Sequence, residues 1–127
     1  LIILDTHVWV QWWMDEGQLS DAARVAIDTA PEIGICAMTC WELGMLAERK
    51  RLTFDRDVLS WIQQSLAVPR MTLLPLTPQI AVGAARLLWD HRDPADRLIV
   101  ATAVIHRAPI VTRDSRIRRF QGVQTIW

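Results

Sequence analysis

The sequence predicts an α/β fold, a three-layer α/β/α sandwich around a central, mainly parallel sheet. Two observations carry this. Short apolar runs of the kind buried on both faces recur along the chain, and stretches with helical spacing alternate with them. No linker, internal repeat or low-complexity stretch interrupts the 127 residues, so one domain over 1–127 is expected.

Leu1 to Leu4 is wholly apolar and stops at Asp5, as a buried strand would. Thr6 to Met14 follows, with Val8, Trp9, Trp12 and Trp13 at helical spacing. Ser20 is a good N-cap for a helix over Asp21 to Ala30, which Pro31 closes. Ile33 to Ala37 reads as a second strand. Thr39 then opens a helix to about Arg51, with Trp41, Met45 and Leu46 on one side and Glu48, Arg49 and Lys50 on the other. Asp57 to Leu66 is helical in pattern, and Met71 to Leu74 is a third strand. Thr77 before Pro78 is an N-cap with proline at N1, launching a helix from Gln79 to Trp89. Ala95 to Arg107 is a further helix. Ile110 to Thr112 and Val123 to Ile126 supply two last strands, with a basic turn or short helix, Ser115 to Phe120, between them.

Composition bounds the function. Half the residues (51%) are hydrophobic and 22% are charged, so the chain is neither a disordered tail nor a low-complexity polymer. At this length folding buries roughly two-thirds of the extended-chain surface, enough for a core without disulfides or structural metal. Lys plus Arg equals 14 and Asp plus Glu equals 14, which marks neither a basic nucleic-acid binder nor an acidic tail. Only Lys50 among the basic residues is lysine; arginine suits fork-shaped contacts to carboxylate or phosphate. Cys36 and Cys40 lack the further Cys or His pair of a zinc site and read as buried thiols. No apolar window approaches the roughly 20 residues of a membrane span, and Leu1 to Leu4 is too short for a secretory segment. A cytoplasmic protein is expected.

In an open parallel sheet, ligands bind outside the carboxyl ends of the strands. Asp5, Glu42, Asp93, Asp96 and Asp114 all fall at that predicted edge. Each has a local explanation. Thr39 and Glu42 match a capping box, Asp93 with Pro94 is a helix start with Asp96 at N3, and Asp5 and Asp114 precede helix or turn starts. Together they have another: carboxylates converging in a low-dielectric edge repel one another unless a divalent cation neutralises them. Oxygen ligands without a Cys or His cluster favour Mg²⁺ or Mn²⁺, and such a site suits phosphodiester hydrolysis. Pro94 fixes Asp93 as the N-cap, which leaves Asp96 free to face the cleft.

The segments L-D-T-H-V-W (Leu4 to Trp9), T-C-W-E-L-G (Thr39 to Gly44), H-R-D-P-A-D-R-L-I-V-A-T-A (His91 to Ala103) and V-T-R-D (Val111 to Asp114) together resemble the PIN domain of VapC-type toxins. The resemblance spans nearly the whole chain in order. It implies a Mg²⁺-dependent ribonuclease, the toxin of a type II toxin–antitoxin pair, with an acidic tetrad on Asp5, Glu42, Asp96 and Asp114. Asp5, Asp96 and Asp114 are the expected metal ligands. It also implies RNA as substrate, an antitoxin partner and a homodimer.

Around the acids, Thr6, His91, Arg97, Thr112, Arg113 and Arg116 are candidate substrate contacts. Thr6 and Thr112 can also hold water, and Arg97 can pair with Asp93 instead. Arg113, Arg116, Arg118 and Arg119 form the one basic concentration beside the acids, read either as a solvated face or as a phosphate-tracking patch. His7 and His106 read as structural. Trp9, Trp12 and Trp13 follow i, i+3, i+4, more than a short helix readily buries, and are candidates for a partner groove. A phospho-acceptor receiver domain has similar length and layering, but needs paired acids after the first strand and a late lysine; Asp5 stands alone and Lys50 lies on a helix. A haloacid-type phosphatase lacks its second aspartate here. A non-cutting PIN-like binding module is the remaining alternative.

Overall fold

The computed structural model describes residues 1–15 and 17–127. The elements run β1 (Ile2–Leu4), α1 (Thr6–Met14), α2 (Asp21–Thr29), β2 (Ile33–Cys36), α3 (Ala37–Glu48), α4 (Val58–Leu66), β3 (Met71–Leu74), α5 (Pro78–Arg86), α6 (Pro94–His106), β4 (Ile110–Val111), α7 (Ser115–Arg119) and β5 (Thr125–Ile126). The five strands pair in the order β3-β2-β1-β4-β5, every pair parallel.

Alternate residues of each strand point to opposite faces, and this divides the core in two. Ile2, Leu4, Ile33, Ile35 and Val111 pack under α1, α2 and α4, while Ile3, Cys36, Leu74 and Ile110 pack under α6 and α7. Helices on both faces explain why the strands read as unbroken apolar runs. After β1 the chain builds outwards through β2 and β3, then returns to place β4 on the other side of β1. The reversal puts a crevice between the carboxyl ends of β1 and β4.

Most elements keep their expected bounds to within a residue or two, and three boundaries matter for the site. α3 starts at Ala37, with Cys36 as an N-cap that makes no side-chain bond, so Thr39 lies inside the helix and is fully buried. The Thr39–Glu42 capping box is therefore not formed. α5 stops at Arg86 instead of Trp89, and α3 stops at Glu48 short of Arg51. Ser20, Thr77 and Asp93 cap α2, α5 and α6 as expected, each accepting a backbone N–H. Both cysteines are free thiols; burial pushes Cys36 up to about 12, while Cys40 is only half-buried.

Candidate active site

Asp5 is both the end of β1 and the N-cap of α1, a position that forces its carboxylate to the crevice. Its Oδ1 accepts the Thr6 N–H at 2.7 Å, and its Oδ2 accepts the Thr112 hydroxyl at 2.7 Å, a bond spanning 107 residues of chain. Thr112 Oγ1 in turn accepts the Asp114 N–H at 3.0 Å. Asp114 caps α7 through Arg116 N and Ile117 N and pairs with the Arg116 guanidinium at 3.3 Å. On the β2 side, the Thr6 hydroxyl donates to Glu42 Oε1 at 2.7 Å, with Thr39 Oγ1 3.3 Å away. At the start of α6, Asp93 Oδ1 accepts the Ala95 N–H at 2.9 Å, and Asp96 Oδ2 lies 2.6 Å from His91 Nε2.

These five acids line one cavity of about 430 Å³, with His7, Arg113 and Arg116 at its rim. Its electrostatics are those of crowded carboxylates. Burial raises the Asp5 carboxyl despite the Thr112 and Thr6 bonds, and Asp114 raises it further. Burial pushes Glu42 up to about 7, with Thr6 opposing and Asp5, Asp96 and Asp93 adding. Asp96 is also raised, by burial first, then by Asp93 and Asp5, against the bond from His91. Asp114 differs: burial pushes it up, but the Arg116 and Ile117 N–H groups and the Arg116 side chain outweigh that and hold it low. The group that relieves three raised carboxyls at once is a cation, and an all-oxygen donor set fits a hard divalent one. Among the described residues, His91, Asp93 and Asp96 place one ligand atom each within 4.8 Å of one another, and Asp5 and Asp114 line the same cavity as further oxygen donors.

Several sequence expectations take different forms here. Thr6 and Thr112 are buried, with hydroxyls committed to Glu42 and Asp5, so they position acids instead of touching substrate. Arg97 meets neither Asp93 nor the cavity. Its guanidinium donates to the carbonyls of Ala84, Trp89, His91 and Leu87, at 2.8–3.0 Å, and reaches Ala85 O at 3.5 Å. These are open carbonyls of the last turn of α5 and of the loop after it, which the guanidinium satisfies where the helix ends. Trp9 is fully buried, sandwiched against Trp61 at 5.2 Å, which removes it from any partner groove; Trp12 and Trp13 remain half-buried. His7 is exposed and lines the acidic cavity, where the sequence reading had made it structural. Its place directly after D-T at a strand end is the signal that identifies it. Arg113 and Arg116 do sit at the rim.

The fold and site define a three-layer α/β protein with an acidic crevice at a parallel-sheet switch point, and comparison with known proteins specifies the family. Residues 2–123 match the PIN domain family, and the chain belongs to that family. It is 41% identical over 130 residues to Ribonuclease VapC22 of Mycobacterium tuberculosis (strain ATCC 25618 / H37Rv), covering 99% of this chain and 98% of that protein. The fold is shared with VapBC2 of Rickettsia felis bound to a promoter DNA fragment (TM-score 0.68, 15% identity, 98% and 96% of the two chains). A toxin–antitoxin complex from Klebsiella pneumoniae is similar too (TM-score 0.69, 18% identity, 97% and 95%).

Proposed function

We propose that this chain is a single-domain, Mg²⁺-dependent endoribonuclease, residues 1–127, acting as the toxin of a type II toxin–antitoxin pair. The observation that carries this is the convergence of Asp5, Glu42, Asp93, Asp96 and Asp114 on one cavity, three of them with raised carboxyls. The homology to a ribonuclease over nearly the full chain supports the same activity.

Asp5, Glu42, Asp96 and Asp114 are the catalytic acids, and Asp5, Asp96 and Asp114 hold the metal. When bound, the divalent cation activates water and offsets charge on the phosphoryl oxygens. Thr112 and Thr6 fix the orientations of Asp5 and Glu42. Glu42, with its carboxyl at about 7, can hold or release a proton near neutral pH beside the attacking water. Arg113 and Arg116 meet the RNA phosphates at the rim, and His91 orients Asp96. Mn²⁺ is the alternative ion. Incubating the purified chain with total RNA in Mg²⁺, Mn²⁺ or EDTA tests this: cleavage that EDTA does not abolish, or no cleavage with either metal, overturns it.

An antitoxin is the proposed partner. A groove of about 370 Å³ between α1 and α3, lined by Val10, Leu43, Leu46 and Leu52, opens beside Thr6 and His7 and leads to the acids. An apolar antitoxin segment laid there can direct an arginine into the acidic cavity, in place of the cation. Of the Trp9, Trp12, Trp13 face expected from the sequence, Trp9 is buried and takes no part, while half-buried Trp12 and Trp13 are proposed as further contacts. Co-elution with the product of the neighbouring small reading frame tests it. A homodimer is also proposed, read by light scattering. No helix among the described residues is long and apolar enough to cross a membrane, and a cytoplasmic location is proposed.

A further inference from the structure

A second cavity, of about 460 Å³, adjoins the acidic one and is lined by Trp89, Asp90, His91, Arg116 and Arg119. Arg116 lines both, so the two are neighbours. The wall is aromatic and fixed. Trp89 packs on Phe120 at 5.0 Å, with ring planes 33° apart, and on His91 at 4.8 Å. The backbone beneath is held by Arg97, which takes the carbonyls of Leu87, Trp89 and His91. The facing side is cationic: Arg116 and Arg119 are three residues apart on α7, so both project from one face of that helix, and both are exposed.

An aromatic platform beside arginines is how unstacked nucleotides of single strands are held, the base against the ring and the phosphate between cations. The volume falls within the roughly 300–1,000 Å³ usual for small-ligand pockets. Asp90 at the rim can only accept hydrogen bonds, which suits the N–H edge of a base and not a phosphate. We propose that this cavity binds one unstacked nucleotide of single-stranded RNA, next to the phosphodiester lying over the acids, with its base against Trp89 and His91 and its phosphate between Arg116 and Arg119. The assignment rests on the ribonuclease reading above and extends it to a substrate subsite.

Arg119 is the informative residue to change, because Arg116 also pairs with Asp114 whereas Arg119 lines this cavity and not the acidic one. Arg118, exposed on the same helix but lining neither cavity, is the control for charge alone. Binding is measured by anisotropy of a fluorescein-labelled, unstructured 12-nucleotide RNA, in EDTA so that metal-dependent cutting is off. Arg119→Glu is expected to weaken it about tenfold and to lower the salt slope by about one, with Arg118→Glu within about twofold of the parent. In the same buffer, irradiation of a 4-thiouridine-substituted RNA should cross-link the tryptic peptide spanning 87–92. Equal effects of Arg118→Glu and Arg119→Glu, or cross-links that leave that peptide unlabelled, overturn the assignment. Cleavage in Mg²⁺ is scored separately: an inert parent sinks the ribonuclease reading, while binding and cross-linking still judge the cavity.

Discussion

His91 Nε2 lies 2.6 Å from Asp96 Oδ2, and the two side chains are only 11% and 14% exposed. The pair explains how Asp96 can sit at N3 of α6 without acting as its cap: Asp93 caps, and Asp96 is turned to the cavity by a ring held outside the helix. Their roles should therefore separate. Asp96→Asn is expected to abolish cleavage with little change in Tm, whereas Asp93→Ala should cost about 0.5–2 kcal/mol through lost capping. Thermal melts and Mg²⁺-dependent cleavage of both variants check this. A dead Asp93→Ala of parental Tm beside an active Asp96→Asn would reverse the roles.

Asp5→Asn should remove activity and leave the fold intact. The amide still offers an oxygen to Thr6 N–H or Thr112, but is a poor ligand for a hard cation. Because the Asp5 carboxyl is raised by burial, the metal-free variant should melt no lower than the parent at pH 7. Cleavage equal to the parent's would remove Asp5 from the metal site.

The raised carboxyls set a pH dependence. A group whose folded pKa lies above its unfolded one destabilises the fold as pH climbs from the ordinary carboxylate range through the folded value, about 7 for Glu42. The metal-free protein should therefore lose stability between about pH 4 and 7, with Asp5 and Asp96 adding in the same direction. Millimolar Mg²⁺ should restore it, most strongly above pH 7, because it binds only the folded state. Melting curves across pH, with Mg²⁺ and with EDTA, are the measurement; a Tm that rises from pH 5 to 7 in EDTA contradicts the mechanism.

Thr6→Val keeps the shape of a buried side chain but deletes the donor to Glu42. We expect a loss of about 0.5–1.5 kcal/mol, the usual net worth of a hydrogen bond, since the half-buried Glu42 carboxylate stays open to the cavity, and reduced cleavage, with Thr6→Ser closest to the parent. Melting and initial rates on one RNA substrate report both. Equal rates for all three proteins would show that the bond positions nothing.

Arg97→Lys should destabilise by at least about 2 kcal/mol, since an ammonium cannot satisfy carbonyls spread over residues 84–91 with one planar fork. Parental Tm in urea and heat would refute the clamp.

How far the sequence carries depends on whether a signal is local. The strands were readable because burial on both faces leaves apolar runs, and Ser20, Thr77 and Asp93 because a cap is a matter of adjacent residues. Thr39 misled for the complementary reason: it has the spacing of a cap, but its hydroxyl faces Thr6, 33 residues away. Arg97 looked misplaced at a helix start because the carbonyls it serves come from another helix end and loop. The i, i+3, i+4 tryptophans gave no hint that Trp61, backed by Phe54, would cover that side of α1. The acids of the site were legible individually; what the sequence did not contain was Thr112 reaching back to Asp5.

That bond also sets a timetable for synthesis. Asp5 and Glu42 leave the ribosome early, yet the β4 side of β1 has no partner until residues 110–111 exist, and the Asp5 carboxylate lacks its second anchor until Thr112 follows. Contacts this distant in sequence form late in folding. A nascent chain stalled before β4 therefore carries Asp5, Glu42, Asp93 and Asp96 but neither Thr112 nor Asp114, so the acidic cavity is completed only when the last strands are made.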